Sequence, residues 1–223
     1  PNLIARSLVR GKTEILAIII PAKHGFANAD YFQKLIAGIT SASVEHSYNV
    51  LIKQETAIKN VRLSSTAFPV DGFIVVSPVL DSPFVKYLEV NKLNAVLVNS
   101  RSKYLSCVDL NSVSAGSSVT EHLIKCGHRK IAFVGGGRDN LNTRDRLNGY
   151  RLALKKNKIP YDPSLVFYAG FDQKMAHHKM REFLASGPPP DAVFCANDLM
   201  AMGVICAAKE KGLRVPEDVA VVG

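Results

Sequence analysis

One stretch limits what this chain can fold into more than any other: EHLIKCGHRKIAFVGGG, from Glu121 to Gly137. It reads as the end of an amphipathic helix, a glycine-closed turn, a short apolar strand and a glycine-rich exit. Leu123 and Ile124 suit the helix's apolar face, and Gly127 suits the left-handed position just past a helix. His128, Arg129 and Lys130 can face water and the helix's negative end. Ile131–Val134 is an unbroken apolar run, the pattern of a parallel strand covered on both faces. The same unit recurs along the chain, so the expected fold is α/β, built from parallel crossovers. In such folds the functional groups stand just beyond the carboxyl ends of the strands.

Apolar runs and their punctuation predict two similar series. In the first, strands at 15–20, 50–53, 72–76 and 95–98 alternate with helices at 31–46 and 84–90, and Val108 lies in a short strand-like segment. In the second, helices at 112–125, 146–156, 174–185 and 199–211 alternate with strands at 131–134, 165–168, 192–195 and 219–222. Prolines 188–190 fit a rigid loop, because proline cannot continue the preceding helix. Two Rossmann-like parallel-sheet lobes are thus expected, at 14–109 and 110–223, joined near Asp109-Leu110-Asn111 and preceded by a linker at 1–13. The sequence stops just past a strand, so by pattern the second lobe is C-terminally incomplete.

Composition removes several classes of function. An apolar share of 47% and a charged share of 21% describe a globular chain. No apolar run approaches the ~20 residues of a membrane helix, and the run after the opening arginines is too short for a secretory signal, so the expected compartment is the cytoplasm. Cys107, Cys126, Cys195 and Cys206 are widely spaced and form no CxxC or CxxH pair, so neither a metal site nor a disulfide framework is expected. The adjacent His177 and His178 read as solvated helix surface. A net charge of +9 invites nucleic acid, but the cations are scattered and not interleaved with aromatic residues, and a solvated basic surface accounts for them better.

The strand exits carry the candidate chemistry: Asn99 with Arg101, the Gly135–Gly137 loop with Asn142 and Arg146, Phe171 with Asp172, and Asn197 with Asp198. Amides, arginines and an aromatic ring suit a neutral polyhydroxylated or heterocyclic ligand, which they orient by hydrogen bonds and cover by a ring face. Asp198 is equally suited to capping the next helix, Asn197 less so. Arg146 opens a predicted helix directly after a loop, which favours a ligand role, whereas Phe171 is as much a core residue as a ligand face. The triple glycine lacks the lysine and hydroxyl residue of a phosphate-binding GxxxxGK[ST] loop. There is no GxSxG and no recurring pair of carboxylates, so no catalytic set is present and no enzyme is expected.

These residues resemble the lactose-, galactose- and purine-repressor family of bacterial transcription regulators. The likeness is carried by EHLIKCGHRKIAFVGG at 121–136, RLNGYRLAL at 146–154 and FCANDLMAMGVICAAKEKGLRVPEDVAVVG at 194–223. The opening PNLIARSLVRGKT, with Asn2, Ala5, Arg6 and Leu8, resembles the family's hinge helix, which enters the minor groove of operator DNA. The resemblance implies a core of the type I periplasmic-binding-protein kind, two lobes closing on a small effector, within a dimeric repressor that needs no cofactor. It places Tyr31 and Phe32 against an effector ring. Asn99, Arg101, Asn142, Arg146, Phe171, Asn197 and Asp198 fall at polar or stacking contacts. A sugar fits that set better than a purine. A periplasmic-type sugar transport protein shares the fold, but the hinge-like opening and the absent export signal favour a regulator.

Overall fold

A computed structural model describes residues 11–20, 30–55 and 70–223. The chain divides into two compact units, Pro1–Leu110 and Asn111–Gly223, each built on its own parallel sheet.

In the first unit the described elements run β1 (Ile15–Ile20), α1 (Asp30–Glu45), β2 (Asn49–Gln54), β3 (Gly72–Val76), α2 (Pro83–Val90), β4 (Ala95–Val98) and β5 (Ser106–Val108). The strand order is β2-β1-β3-β4-β5. Register is set by the interior strands, with Ile18 opposite both Ile52 and Ile74, and Val75 opposite Leu97. Alternate residues of β1 serve opposite faces. Ala17 and Ile19 pack with Phe73, Leu97 and the α2 residues Phe84 and Leu88. Ile18 and Ile20 pack with Val76, Val98 and Phe32 of α1. Helices on both faces explain why β1 reads as a continuous apolar run rather than an alternating one.

The second unit contains α3 (Ser112–Lys125), β6 (Ile131–Gly135), α4 (Leu141–Lys156), β7 (Val166–Tyr168), α5 (Gln173–Ser186), β8 (Ala192–Cys195), α6 (Asp198–Glu210) and β9 (Ala220–Val222), in strand order β7-β6-β8-β9. Helix α3 packs along α4, and α5 along α6. Right-handed crossovers in opposite directions put the two pairs on opposite faces of the sheet. One continuous core results, with Phe133 edge-on to Phe194 and packed against Tyr150 of α4. The fully buried Tyr150 hydroxyl donates to the Ile131 carbonyl at 2.8 Å. Burial, with the neighbouring Tyr161 and Asp162, holds its pKa well above the usual tyrosine range.

The two sheets are started by the same device. Asp71, just before β3, accepts from the Thr13 and Glu14 backbone N–H groups and the Thr13 hydroxyl at 2.7–3.0 Å. Asp191, just before β8, accepts from the Arg129 and Lys130 N–H groups at 3.0 and 2.7 Å. Each carboxylate fixes the entry of the central strand against its neighbour. Burial pushes each acid up, but the backbone donors outweigh it and hold both below the usual aspartate value.

Most elements lie within a residue of their predicted bounds; three readings change. Helix α4 begins at Leu141, not at Arg146, because Asn140 caps it by accepting from the Thr143 N–H at 3.0 Å. Its first turn is polar, so apolar periodicity does not announce it. Leu165 belongs to a short 3-10 turn, Pro163–Leu165, ahead of β7. His177 is not simply solvated: its Nε2 lies 3.0 Å from Glu210, tying α5 to α6. Gly127 has φ +99°, as its place past α3 requires. Among the described residues no helix is long and apolar enough to cross a membrane.

Candidate functional site

At the carboxyl end of the first sheet, two non-glycine residues stand in the left-handed region: Ser77 after β3, with φ +45°, and Asn99 after β4, with φ +55°. Such a backbone costs of order 1 kcal/mol or more per residue and persists only where surroundings hold it. Here the strand ladder does so, with Ser77 N donating to Val98 O and Asn99 N to Val108 O, both at 2.8 Å. The side chains then meet. The buried Asn99 amide donates to the Tyr31 hydroxyl at 2.8 Å and to Ser77 Oγ at 3.2 Å. Both amide hydrogens are used, so Asn99 Oδ1 is an acceptor with no hydrogen bond to any described residue. Tyr31 keeps its hydroxyl hydrogen for donation and leaves 48% of its surface exposed.

The neighbouring candidates behave differently. Phe32, expected against an effector ring, is only 6% exposed and fills the core beneath α1. Adjacent helix residues lie about 100° apart, so Tyr31 and Phe32 cannot present one face together. Arg101 donates from Nε to Asp109 Oδ2 at 2.7 Å, bracing the segment after β4 against the end of β5. The other Asp109 oxygen, Oδ1, is buried without a hydrogen-bond partner. Ser77 and Asp109 are not in the predicted site. The strand-exit rule applied to every strand would have found Ser77.

In the second unit, glycine and helix caps do the positioning. A Cβ on Gly135 would stand 2.9 Å from both Thr143 Cγ2 and Tyr168 Cδ1, and one on Gly136 would overlap three carbons of the Phe171 ring. Gly135 and Gly136 therefore admit aromatic side chains, and Gly137 lies against the Asp139 carboxylate, which repels phosphate. Phe171 follows Gly170, both in the left-handed region at φ +61° and +64°. That turn lays the ring over Gly136, with part of its surface still accessible. The Arg138 guanidinium sits 4.3 Å over the Tyr168 ring, closing one side of the loop.

Asn142 lies in the first turn of α4 and Arg146 one turn later, on the same side of the helix. Asn142 is buried, and its Oδ1 accepts from the Ser112 hydroxyl at 3.3 Å, leaving its two amide hydrogens for other acceptors. Arg146 is half-buried. Asp172 caps α5 through the Met175 N–H at 2.7 Å. At β8 the roles differ from the prediction: Asn197, not Asp198, caps α6, accepting from the Met200 N–H at 3.0 Å. Asp198 is the first helical residue, exposed at the positive end of α6 beside Gly223. The expected hinge residues Asn2, Ala5, Arg6 and Leu8 lie outside the described residues.

Comparison with known proteins gives consistent results. Residues 120–223 match the family model of the periplasmic binding protein-like domain. The whole chain aligns at 33% identity with 68% of the HTH-type transcriptional regulator CelR of Thermobifida fusca. It aligns at 28% with 67% of the HTH-type transcriptional repressor PurR of Haemophilus influenzae. Among solved structures, a complex of the regulator CelR with cellobiose superposes on 99% of this chain and 72% of its own, with a TM-score of 0.82 and 27% identity. A putative LacI transcriptional regulator of Bacillus cereus reaches 0.85 at 29% identity, over 93% of this chain and 76% of its own.

Proposed function

This chain belongs to the LacI family of HTH-type transcriptional regulators, of which it spans the effector-binding core, and from that premise we propose that it binds a neutral sugar at the strand exits and passes that binding on as a change in operator affinity. The observation that carries the reading is the polarity of Asn99. Its amide hydrogens are spent on Tyr31 and Ser77, so it offers a hydroxyl-bearing ligand an acceptor, while the Tyr31 hydroxyl offers a donor and its exposed ring an apolar face. The second unit adds the Asn142 amide hydrogens, the Arg146 guanidinium, the Phe171 ring and the Asp198 carboxylate. Arg101 and Asn197 support the ligand from behind, through Asp109 and the α6 cap.

Mechanistically, an effector that contacts one arrangement of the two units better than another shifts the population toward it, by no more than its differential affinity. In the complete homodimeric repressor, that shift changes how the hinge helices meet DNA. The cellobiose complex of the related regulator makes glucosides the first class to try. The rings of Tyr31 and Phe171, which can cover a heterocycle as well as a sugar, make purines the second.

Isothermal titration of the chain with cellobiose, a series of mono- and disaccharides, and adenine, guanine and hypoxanthine tests the proposal. A disaccharide is expected to bind, and Asn99→Ala to weaken it about tenfold or more through the lost acceptor. Saturable binding of a purine with no response to any sugar would reverse the ligand class. A homodimer is expected by sedimentation.

A further inference from the structure

The helix that opens the second unit is bound to α4 along matching turns. Asn111 caps α3 immediately past the boundary with the first unit, so α3 starts where the chain crosses from one unit to the other. From there the partners run in step. Ser112 bonds Asn142, both buried. One turn on, Gly116 abuts the backbone of Arg146, and a Cβ there would lie 2.9 Å from Arg146 Cα and closer still to its carbonyl oxygen. Gly149 lies against the Val113 carbonyl, and a Cβ on it would come within 2.6 Å of Ser117 N. Further along, Lys156 pairs with Glu121 at 3.0 Å.

Backbone-to-backbone contact of this kind brings two helices closer than the 8–10 Å axial separation that side chains normally impose. A close-packed crossing has few alternative arrangements, because any slide forces atoms to overlap. The two residues registered against α3 at this crossing, Asn142 and Arg146, are those assigned above to the effector.

We propose that Gly116 and Gly149, with Ser112, are positioning residues for Asn142 and Arg146, and that α3 and α4 move as one rigid piece that delivers effector contact to the joint at Leu110–Asn111. This rests on the reading that Asn142 and Arg146 meet the effector. An α4 free to slide on α3 would let a ligand pull Arg146 without moving the joint. With the crossing locked, a displacement of Arg146 displaces Ser112, and Ser112 directly follows the Leu110–Asn111 joint.

Two measurements on the 223-residue chain separate the clamp from the effector reading. In the unliganded protein, the NMR signals of the Asn142 side-chain amide and the Arg146 Nε–H are followed in Ser112→Ala and Gly149→Ala. Gly38→Ala, at a helix position with nothing within 4 Å of an added Cβ, is the control. Both signals are expected to shift in the two clamp variants and not in the control, while the Asn197 side-chain amide stays in place. Unmoved Asn142 and Arg146 signals would overturn the clamp whatever binds. Where Gly149→Ala does not fold, Ser112→Ala decides alone, since it adds no atoms.

The second measurement is titration with a sugar that the wild type binds. Ser112→Ala is expected to weaken binding about three- to tenfold, as loss of one orienting hydrogen bond does, with a modest loss of thermal stability from the orphaned Asn142 acceptor. Wild-type affinity in a variant whose signals have shifted would show that α3 does not position these residues. A wild type that binds no ligand of the panel would sink the effector reading alone, and the NMR result would still decide the clamp.

Discussion

The two units present polar groups at the same end of the same kind of sheet, but hold them by different means. In the first, side chains position one another: Asn99 grips Tyr31 and Ser77 across neighbouring exits, and two of the three carry a strained backbone. In the second, the backbone does the positioning. Glycines let helices and rings approach to contact, Asn140 and Asn197 cap the helices that carry Asn142, Arg146 and Asp198, and Asp172 caps α5 just past Phe171. The cores follow suit, with two separate apolar clusters flanking the first sheet and one continuous cluster in the second. In the first unit, ligand contacts are therefore open to change at little cost in folding. In the second, the residues that aim the site also close the core.

The largest effect expected of this difference lies at glycine. Gly149→Ala and Gly203→Ala add a methyl against neighbouring helix backbone, at Val113 and at Gln173. Each is expected to lower the stability of the second unit by about 2–3 kcal/mol, overpacking outweighing alanine's helix propensity. Gly38→Ala in α1 meets open space and is expected to add about 0.5–1 kcal/mol. Urea unfolding of the three variants checks this, and a stabilised Gly149→Ala would break the contrast between the units.

Next comes Tyr150→Phe, which leaves the Ile131 carbonyl without its buried donor and is expected to cost about 1–2 kcal/mol in the same assay. The shared device at the sheet entries comes third. Asp71 and Asp191 are more acidic folded than the unfolded-like value of 3.8. Their stabilisation is therefore fully present above that value and lost as pH falls through the lower folded one. Asp71→Asn and Asp191→Asn are each expected to cost about 1 kcal/mol at neutral pH, after discounting for solvent screening, and to flatten the acid limb of the stability curve below about pH 4. An unchanged acid limb in either variant would count against its carboxylate. The smallest effect on stability is expected for Asn99→Gly, within about 0.5 kcal/mol, because glycine relieves the left-handed strain that the lost hydrogen bonds offset. Sugar binding should nevertheless fall at least as far as in Asn99→Ala, and a matched loss of stability and affinity would erase the distinction between the units.

What could be read from the residues alone was set by short-range pattern. Apolar runs, helical spacing and glycine punctuation depend on neighbours a few positions away, so parallel strands, paired lobes and the set of strand exits were legible in one dimension. The likeness to a repressor core was legible too, from the motifs at 121–136, 146–154 and 194–223. The packed structure decided matters of direction. Tyr31 faces outward while Phe32 is buried, because one residue step rotates a helix by about 100° and only the position of the core tells which side is in. Asn197 took the cap from Asp198, a choice made by the backbone geometry where β8 meets α6. Arg101 turned to Asp109, eight residues away across the β4–β5 connection. Gly116 and Gly149 stand 33 positions apart in the chain, and nothing in a linear pattern records that they meet. Their contact exists only because two helices cross where neither has a side chain. The sequence determined which chemistry is present, and long-range packing determined which of it faces a ligand.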